Sequence, residues 1–168
     1  RQKERLTNSL MKIVNKYKYP SSTRAKISGL RHYSIDGSEQ KLPSVTTILG
    51  ETQPQEKKDS LDKWRAKVGL REAQRITRDA AIRGTAMHKY LEDLCRGQRS
   101  LDLTPLGKEA TDMAQVIVDR GLKDVSEIYG IEATLFYPDL YAGSVDLVAK
   151  YKDNGAGDGT AAGTQTAN

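Results

Sequence analysis

The chain has 168 residues, long enough for one domain with a buried core. Hydrophobic residues make up 37% and charged residues 29%, the balance of a soluble protein, and no stretch approaches the roughly 20 apolar residues of a membrane span. The single cysteine, Cys95, excludes an internal disulfide and a cysteine-built zinc site, and it fits a reducing compartment.

The formal net charge of +5 is unevenly spread. Residues 1–31 carry nine Lys/Arg against one acid, Glu4, a net +8, whereas the remainder carries 18 basic and 21 acidic residues, a net −3. The contrast marks residues 1–31 as a basic N-terminal arm. Arg24, Lys26 and Arg31 would neutralise phosphates there while Tyr17, Tyr19 and Tyr33 stack on bases; a solvated, partly disordered arm is the competing reading. Arg1–Leu10 has no apolar run of the secretory type. Leu6, Leu10, Ile13, Val14 and Tyr17 recur at helical spacing, so a short helix is expected over residues 1–18, ended by Pro20-Ser21-Ser22.

His32-Tyr33-Ser34-Ile35 reads as a short strand closed by an Asp36-Gly37 turn. Ser44 is placed to cap a helix with Val45, Ile48 and Leu49 on one face and Gly50 as its stop. Residues 51–58 are polar and read as a loop, after which Leu61, Trp64 and Val68 mark a second helix. A long helix is expected over about Leu70–Arg96, with Ala73, Ile76, Ala80, Met87, Leu91, Leu94 and Cys95 as its apolar stripe and Gly97 at its end. Gly84, inside it, costs about 1 kcal/mol relative to Ala and suggests close approach of a backbone or ligand. Thr104-Pro105 opens another helix, which carries Met113, Val116, Ile117 and Val118 and stops at Gly121.

The period then changes from helical to alternating. Ile128 to Tyr137 and Ala142 to Tyr151 form an expected antiparallel hairpin around Pro138-Asp139-Leu140. Lys152-Asp153-Asn154-Gly155 signals a further turn and a third strand, yet residues 154–168 hold no large apolar residue and read as flexible low complexity. The expected organisation is therefore an arm (1–31), a core (32–152) and a flexible tail (153–168). The expected class is α/β of the α+β kind, with helices packed on a small mixed β-sheet that is incomplete at the C-terminus.

Three residues can carry chemistry. Asp146 sits mid-strand, where a buried carboxylate needs a partner or a metal and an exposed one needs neither. His88 lies one helical turn after Gly84; Glu92, a turn further on, either orients its ring or is simply solvated. His32 has no such setting. Glu132, on the first hairpin strand with Thr134 and Phe136, can approach the Asp146 side across the turn, and two facing carboxylates repel unless a cation lies between them. The chain has no phosphate-binding glycine loop, zinc cysteine set or Ser/His/Asp elbow.

In order along the chain, Leu42-Pro43-Ser44-Val45-Thr46-Thr47-Ile48-Leu49, Trp64, Arg83-Gly84-Thr85-Ala86-Met87-His88, Glu132 and Gly143-Ser144-Val145-Asp146-Leu147-Val148-Ala149 resemble the motifs of RecB-like nucleases of the PD-(D/E)xK superfamily, the group with phage and mitochondrial genome-maintenance exonucleases. The resemblance covers about residues 42–151. It implies a restriction-endonuclease-like core and metal-assisted phosphodiester hydrolysis on DNA, expected to be single-stranded. His88 and Asp146 would bind Mg²⁺ or Mn²⁺, Glu132 would be a supporting acid, and Ser44, Thr46 and Arg83 would contact the DNA backbone. It also implies a location where DNA is found, the cytoplasm of a bacterial or phage-infected cell or, alternatively, the mitochondrial matrix.

The chain departs from that pattern after residue 151. The family continues to an apolar strand ending in Asp-x-Lys, whereas here the only later acid beyond the turn is Asp158, a second candidate metal ligand, and Thr160 stands where the lysine belongs. That lysine would stabilise developing charge on the phosphate. Lys150 is the one substitute on the Asp146 face. Two readings stay open: an exonuclease, truncated or impaired at this end, and a DNA-binding module derived from a nuclease that does not cut.

Overall fold

The computed structural model describes residues 11–98 and 102–152. Its elements run β1 (Lys12–Ile13), β2 (Ser22–Ile27), β3 (Leu30–Ile35), β4 (Lys41–Pro43), α1 (Val45–Glu51), α2 (Gln55–Val68), α3 (Leu70–Cys95), α4 (Pro105–Ile117), a π-helical turn (Val118–Leu122), β5 (Val125–Tyr137) and β6 (Tyr141–Tyr151). The class is α+β, as expected, with two three-stranded sheets in place of one.

The first sheet is mixed, in the order β1-β5-β6. β5 and β6 pair antiparallel from Tyr137 opposite Tyr141 to Val125 opposite Tyr151, with bulges in β5 between Val125 and Glu127 and between Ile128 and Gly130. β1 adds in parallel, Ile13 beside Ile128. Residues 11–18 are therefore not helical as their spacing suggests. The backbone of Lys12 and Ile13 finds its partners in β5, near the other end of the chain, and that pairing overrides the local period. The rest of the expected 1–18 helix, the expected third strand after residue 152, and the tail lie outside the described residues.

Beneath this sheet, Cys95 of α3, Val118 and Leu122 of the π-turn, and Val125 and Ile128 of β5 form the main core, flanked by Met11, Leu91, Leu94, Ile131, Leu147 and Ala149. Each fully buried Val or Ile there contributes about 1.5–3 kcal/mol of transfer free energy. The helices enter this core with the caps the sequence announces. Thr104 accepts the Gly107 N–H at 3.0 Å ahead of Pro105, and Gly97 turns left-handed (φ 72) to close α3, its N–H reaching the Leu94 carbonyl. α4 ends at Ile117, before the expected stop at Gly121, because the chain widens into a π-turn that keeps Val118 and Leu122 buried.

The second sheet, β2-β3-β4, is antiparallel throughout. Tyr33, Ile35 and Leu42 pack with Ala142 of β6 in a smaller core, and Ser44 bridges in parallel to Ala142. Ser22 Oγ and Thr134 Oγ1, 2.8 Å apart, tie the two sheets again. Lys12–Ile13 and Ser22–Ile27, both within the segment read as an arm, are thus paired strands. β2 was not visible in the sequence because only Ser22 in it is even partly buried. α1 runs through Gly50 to Glu51, and α2 starts at Gln55 inside the stretch expected to be a loop, its polar first turn held by Gln55 Nε2 donating to Asp59 Oδ1 at 2.7 Å. Among the described residues no helix is long and apolar enough to cross a membrane.

Candidate functional site

A groove of about 880 Å³ runs between the second sheet, the start of α1, α3 and the outer half of the β5–β6 hairpin. Its walls bring together seven of the candidate site residues, Arg24, Arg31, Ser44, Thr46, His88, Glu132 and Asp146, along with Tyr33 and Glu92.

Glu132 and Asp146 face each other because of strand register. Ile131 pairs with Leu147 and Ala133 with Val145, which sets Glu132 across from Asp146. Glu132 itself has a left-handed backbone, φ 51. The other two non-glycine residues with positive φ, Ser28 and Asp139, lie in turns, so Glu132 is distinctive among the described residues in carrying this conformation mid-strand. A non-glycine residue there costs on the order of 1–3 kcal/mol, and such strain collects at functional positions. α3 presents His88 to the same point, with Nδ1 3.4 Å from Asp146 Oδ1. One ligand atom each from His88, Glu132 and Asp146 lies within 4.8 Å of the others. All three side chains keep solvent access: 51% for His88, 66% for Asp146 and 34% for Glu132.

Two side chains contact the Glu132 carboxylate. Ser144 Oγ donates to Glu132 Oε2 at 3.1 Å, and Arg24 Nη2 lies 3.7 Å from the same oxygen. The Arg24 guanidinium sits 5.5 Å over the Tyr33 ring, which fixes it on that wall. Glu92, one turn after His88, pairs with Arg96 at 3.1 Å and is an ordinary ionic partner on the helix surface.

Other expected residues have structural duties or sit elsewhere. Ser44 is almost fully buried; its Oγ accepts the Thr46 N–H at 3.2 Å and lies 2.6 Å from Thr46 Oγ1, so it caps α1. Arg83 pairs with Glu109 of α4 at 2.9 Å and does not line the groove, and neither do Lys26 and Lys150. Among the described residues nothing lies within 4 Å of a Cβ placed on Gly84, so of the two approaches its glycine suggested, that of a backbone is not found. Tyr33 is 3% exposed and belongs to the smaller core, which corrects its assignment as a base-stacking residue. Tyr17 stays half exposed but stands away from the groove, edge-on to Tyr129 at 5.7 Å. Tyr19 packs on Gly130, where a Cβ would come 2.7 Å from its ring. Burial pushes the Cys95 thiol up, in keeping with an inert core residue. Asp158 and Thr160 lie outside the described residues.

Sequence reasoning missed Thr85, Lys89 and the aromatic end of the hairpin, Phe136, Tyr137 and Tyr141, all of which line the groove. For the tyrosines a signal existed: they flank the Pro138-Asp139-Leu140 turn and must therefore face each other.

An α+β fold with an imidazole and two carboxylates gathered in an open groove defines a candidate divalent-cation site. The chain is also 28% identical over 118 residues to mitochondrial genome maintenance exonuclease 1 of Mus musculus, a match that covers 66% of this chain and 34% of that protein. The chain thus spans about a third of that relative's length, and the similarity points to a nuclease relationship. No family model matches the chain, and no solved structure matches it.

Proposed function

We propose that the chain carries a divalent-cation-dependent DNA nuclease site, with His88, Glu132 and Asp146 holding Mg²⁺ or Mn²⁺. The observation that carries this reading is the convergence of those three ligand atoms within 4.8 Å. Two ligands of an ion with bonds of about 2.1 Å lie roughly 3 Å apart when adjacent and 4.2 Å when opposite, so small side-chain rotations bring this set to the required separations. One nitrogen beside two carboxylates suits Mn²⁺ as well as Mg²⁺. A cation bound there would supply charge stabilisation to a phosphate and acidify a bound water.

The chain's own residues divide the rest of the work. Asp146 and His88 set the ligand geometry from two different elements. Ser144 and Arg24 hold the Glu132 carboxylate in place, and Arg24 and Arg31 offer cationic contacts to the phosphate backbone. DNA is the substrate class this reading favours, in line with the name of the mouse relative. The cytoplasm and the mitochondrial matrix both suit such an activity. Binding without cutting is the second reading, favoured by Lys89: among the described residues it is the one lysine lining the groove, and it is paired with Asp93.

The two readings separate on labelled single-stranded DNA with Mg²⁺ or Mn²⁺. Digestion that stops with EDTA and in Asp146→Ala supports the nuclease; salt-sensitive binding with no cleavage by the unaltered chain supports the binding module. Full digestion by Asp146→Ala would remove that residue from the site.

A further inference from the structure

We infer that the outer edge of β6 is an interface between two copies of this chain, in which residues 145–151 of each copy pair antiparallel about Val148 and Lys150 of one copy meets Asp146 of the other. The inference does not depend on whether the site cuts DNA. It rests on an open strand edge and on the order of charges along it.

β6 is the last strand of the sheet β1-β5-β6, so one of its sides faces β5 and the other faces outward. Near the hairpin tip the outward side is partly closed: Ser44 bridges to Ala142, and a Cβ on Gly143 would lie 3.5 Å from the Val45 side chain. Beyond that point, residues 145–151 pair with β5 alone among the described residues. About 20 Å of backbone is left whose outward peptide groups have no described strand beside them. Natural edges are commonly guarded by a bulge, a proline or a short length. β6 has none of these: it is 11 residues long, contains no proline, and the bulges of the hairpin lie in β5. Residues 154–168, which follow it in the sequence, hold no large apolar residue to set against Val145 or Leu147.

The order of side chains along this edge makes a second copy its best-matched occupant. In an antiparallel pair centred on Val148, that residue meets its own counterpart, and Leu147, Asp146 and Val145 of each copy meet Ala149, Lys150 and Tyr151 of the other. Directly opposed residues share a face of the sheet, so both Asp–Lys pairs come within reach. The carboxylate has room for the ammonium, because Asp146 is 66% exposed even with His88 beside it. Lys150 is exposed too. Centring the pair on Asp146 or on Lys150 instead would set like charges opposite each other, so one register is favoured over its neighbours. Leu147 and Ala149 are already half-buried against the main core, and the pairing covers sides that the core leaves open. A strand of unrelated sequence would satisfy the peptide groups but not both charges. The paired copies would share one sheet, ordered β1-β5-β6-β6-β5-β1, with a lysine of each copy beside the carboxylate cluster of the other.

The test uses the full chain, with circular dichroism confirming the fold of each variant. Sedimentation velocity is expected to show a dimer, weakened roughly tenfold or more by Asp146→Lys or by Lys150→Asp, because each single change opposes like charges in both pairs. An equimolar mixture of these two variants is expected to recover the dimer, since every lysine then faces an aspartate. Where a charge variant fails to fold, engineered cysteines read the same register. Val148→Cys should form a disulfide between copies in oxidised glutathione, whereas Val145→Cys, opposite Tyr151 and far from its own counterpart, should not. An unaltered chain that stays monomeric at every concentration reached overturns the interface. So does a dimer indifferent to both charge variants, a mixture of folded variants that stays monomeric, or equal cross-linking at the two cysteines. None of these readouts involves DNA cleavage, so the interface and the nuclease reading can fail separately.

Discussion

The two walls of the groove rest on unequal foundations. The wall that carries His88, Glu132 and Asp146 is built from α3 and the β5–β6 hairpin, over a core in which Ile128 is wholly buried. The opposite wall, β2-β3-β4 with Arg24 and Arg31, leans on three residues packed against Ala142. Ligands for a cation must hold their separations to a fraction of an ångström, whereas cations that follow a phosphate backbone tolerate movement. The difference places the geometrically demanding groups on the deeper core and the permissive ones on the shallower.

That contrast can be broken in several ways. The largest effect is expected from Asp146→Ala, which should lower digestion of single-stranded DNA on the order of 10³-fold, with the circular dichroism spectrum unchanged. Next, Ile128→Ala should destabilise the fold by about 2–5 kcal/mol in a urea titration. Ile35→Ala should fall at the low end of that range, and by hydrogen exchange should loosen β2-β3 while β5-β6 keeps its protection. Equal loosening of both sheets would mean that the two walls form one cooperative unit.

Smaller effects sharpen the same comparison. Glu132→Gly should raise stability by about 1 kcal/mol, because glycine accepts a φ of 51 without strain, and should at the same time weaken cation binding. A variant that is both more stable and less able to bind would show that backbone strain at this position serves the site. Ser44→Ala should cost about 1 kcal/mol through loss of the α1 cap, read by thermal denaturation. Smallest of all, Arg24→Ala should leave stability nearly unchanged and reduce the slope of DNA affinity against salt concentration by about one.

Much of this arrangement was legible because its signals are local. The Thr104-Pro105 start, the Ser44 cap, the apolar stripe of α3 and the period-two hairpin each depend on residues within a turn or two of one another. Glu132 opposite Asp146 was legible from the hairpin alone. What escaped depends on distant contacts or on polar segments. β1 is a strand only because β5 lies beside it, β2 has no buried side to reveal its period, and the first turn of α2 has no apolar residue. Tyr33 looked available for stacking beside basic residues, yet it shares the inner face of β3 with Ile35. The approach of His88 to Asp146 comes from the packing of α3 on the sheet, which no spacing in the sequence encodes.

Whether three side chains from α3, β5 and β6 form one cation site is read out by a Mn²⁺ titration followed by electron paramagnetic resonance. One site is expected in the unaltered chain, weakened at least tenfold by His88→Ala, Glu132→Gln and Asp146→Asn alike, since each removes a ligand from the same ion. Mn²⁺ binding that is absent from the unaltered chain, or indifferent to all three substitutions, would contradict it.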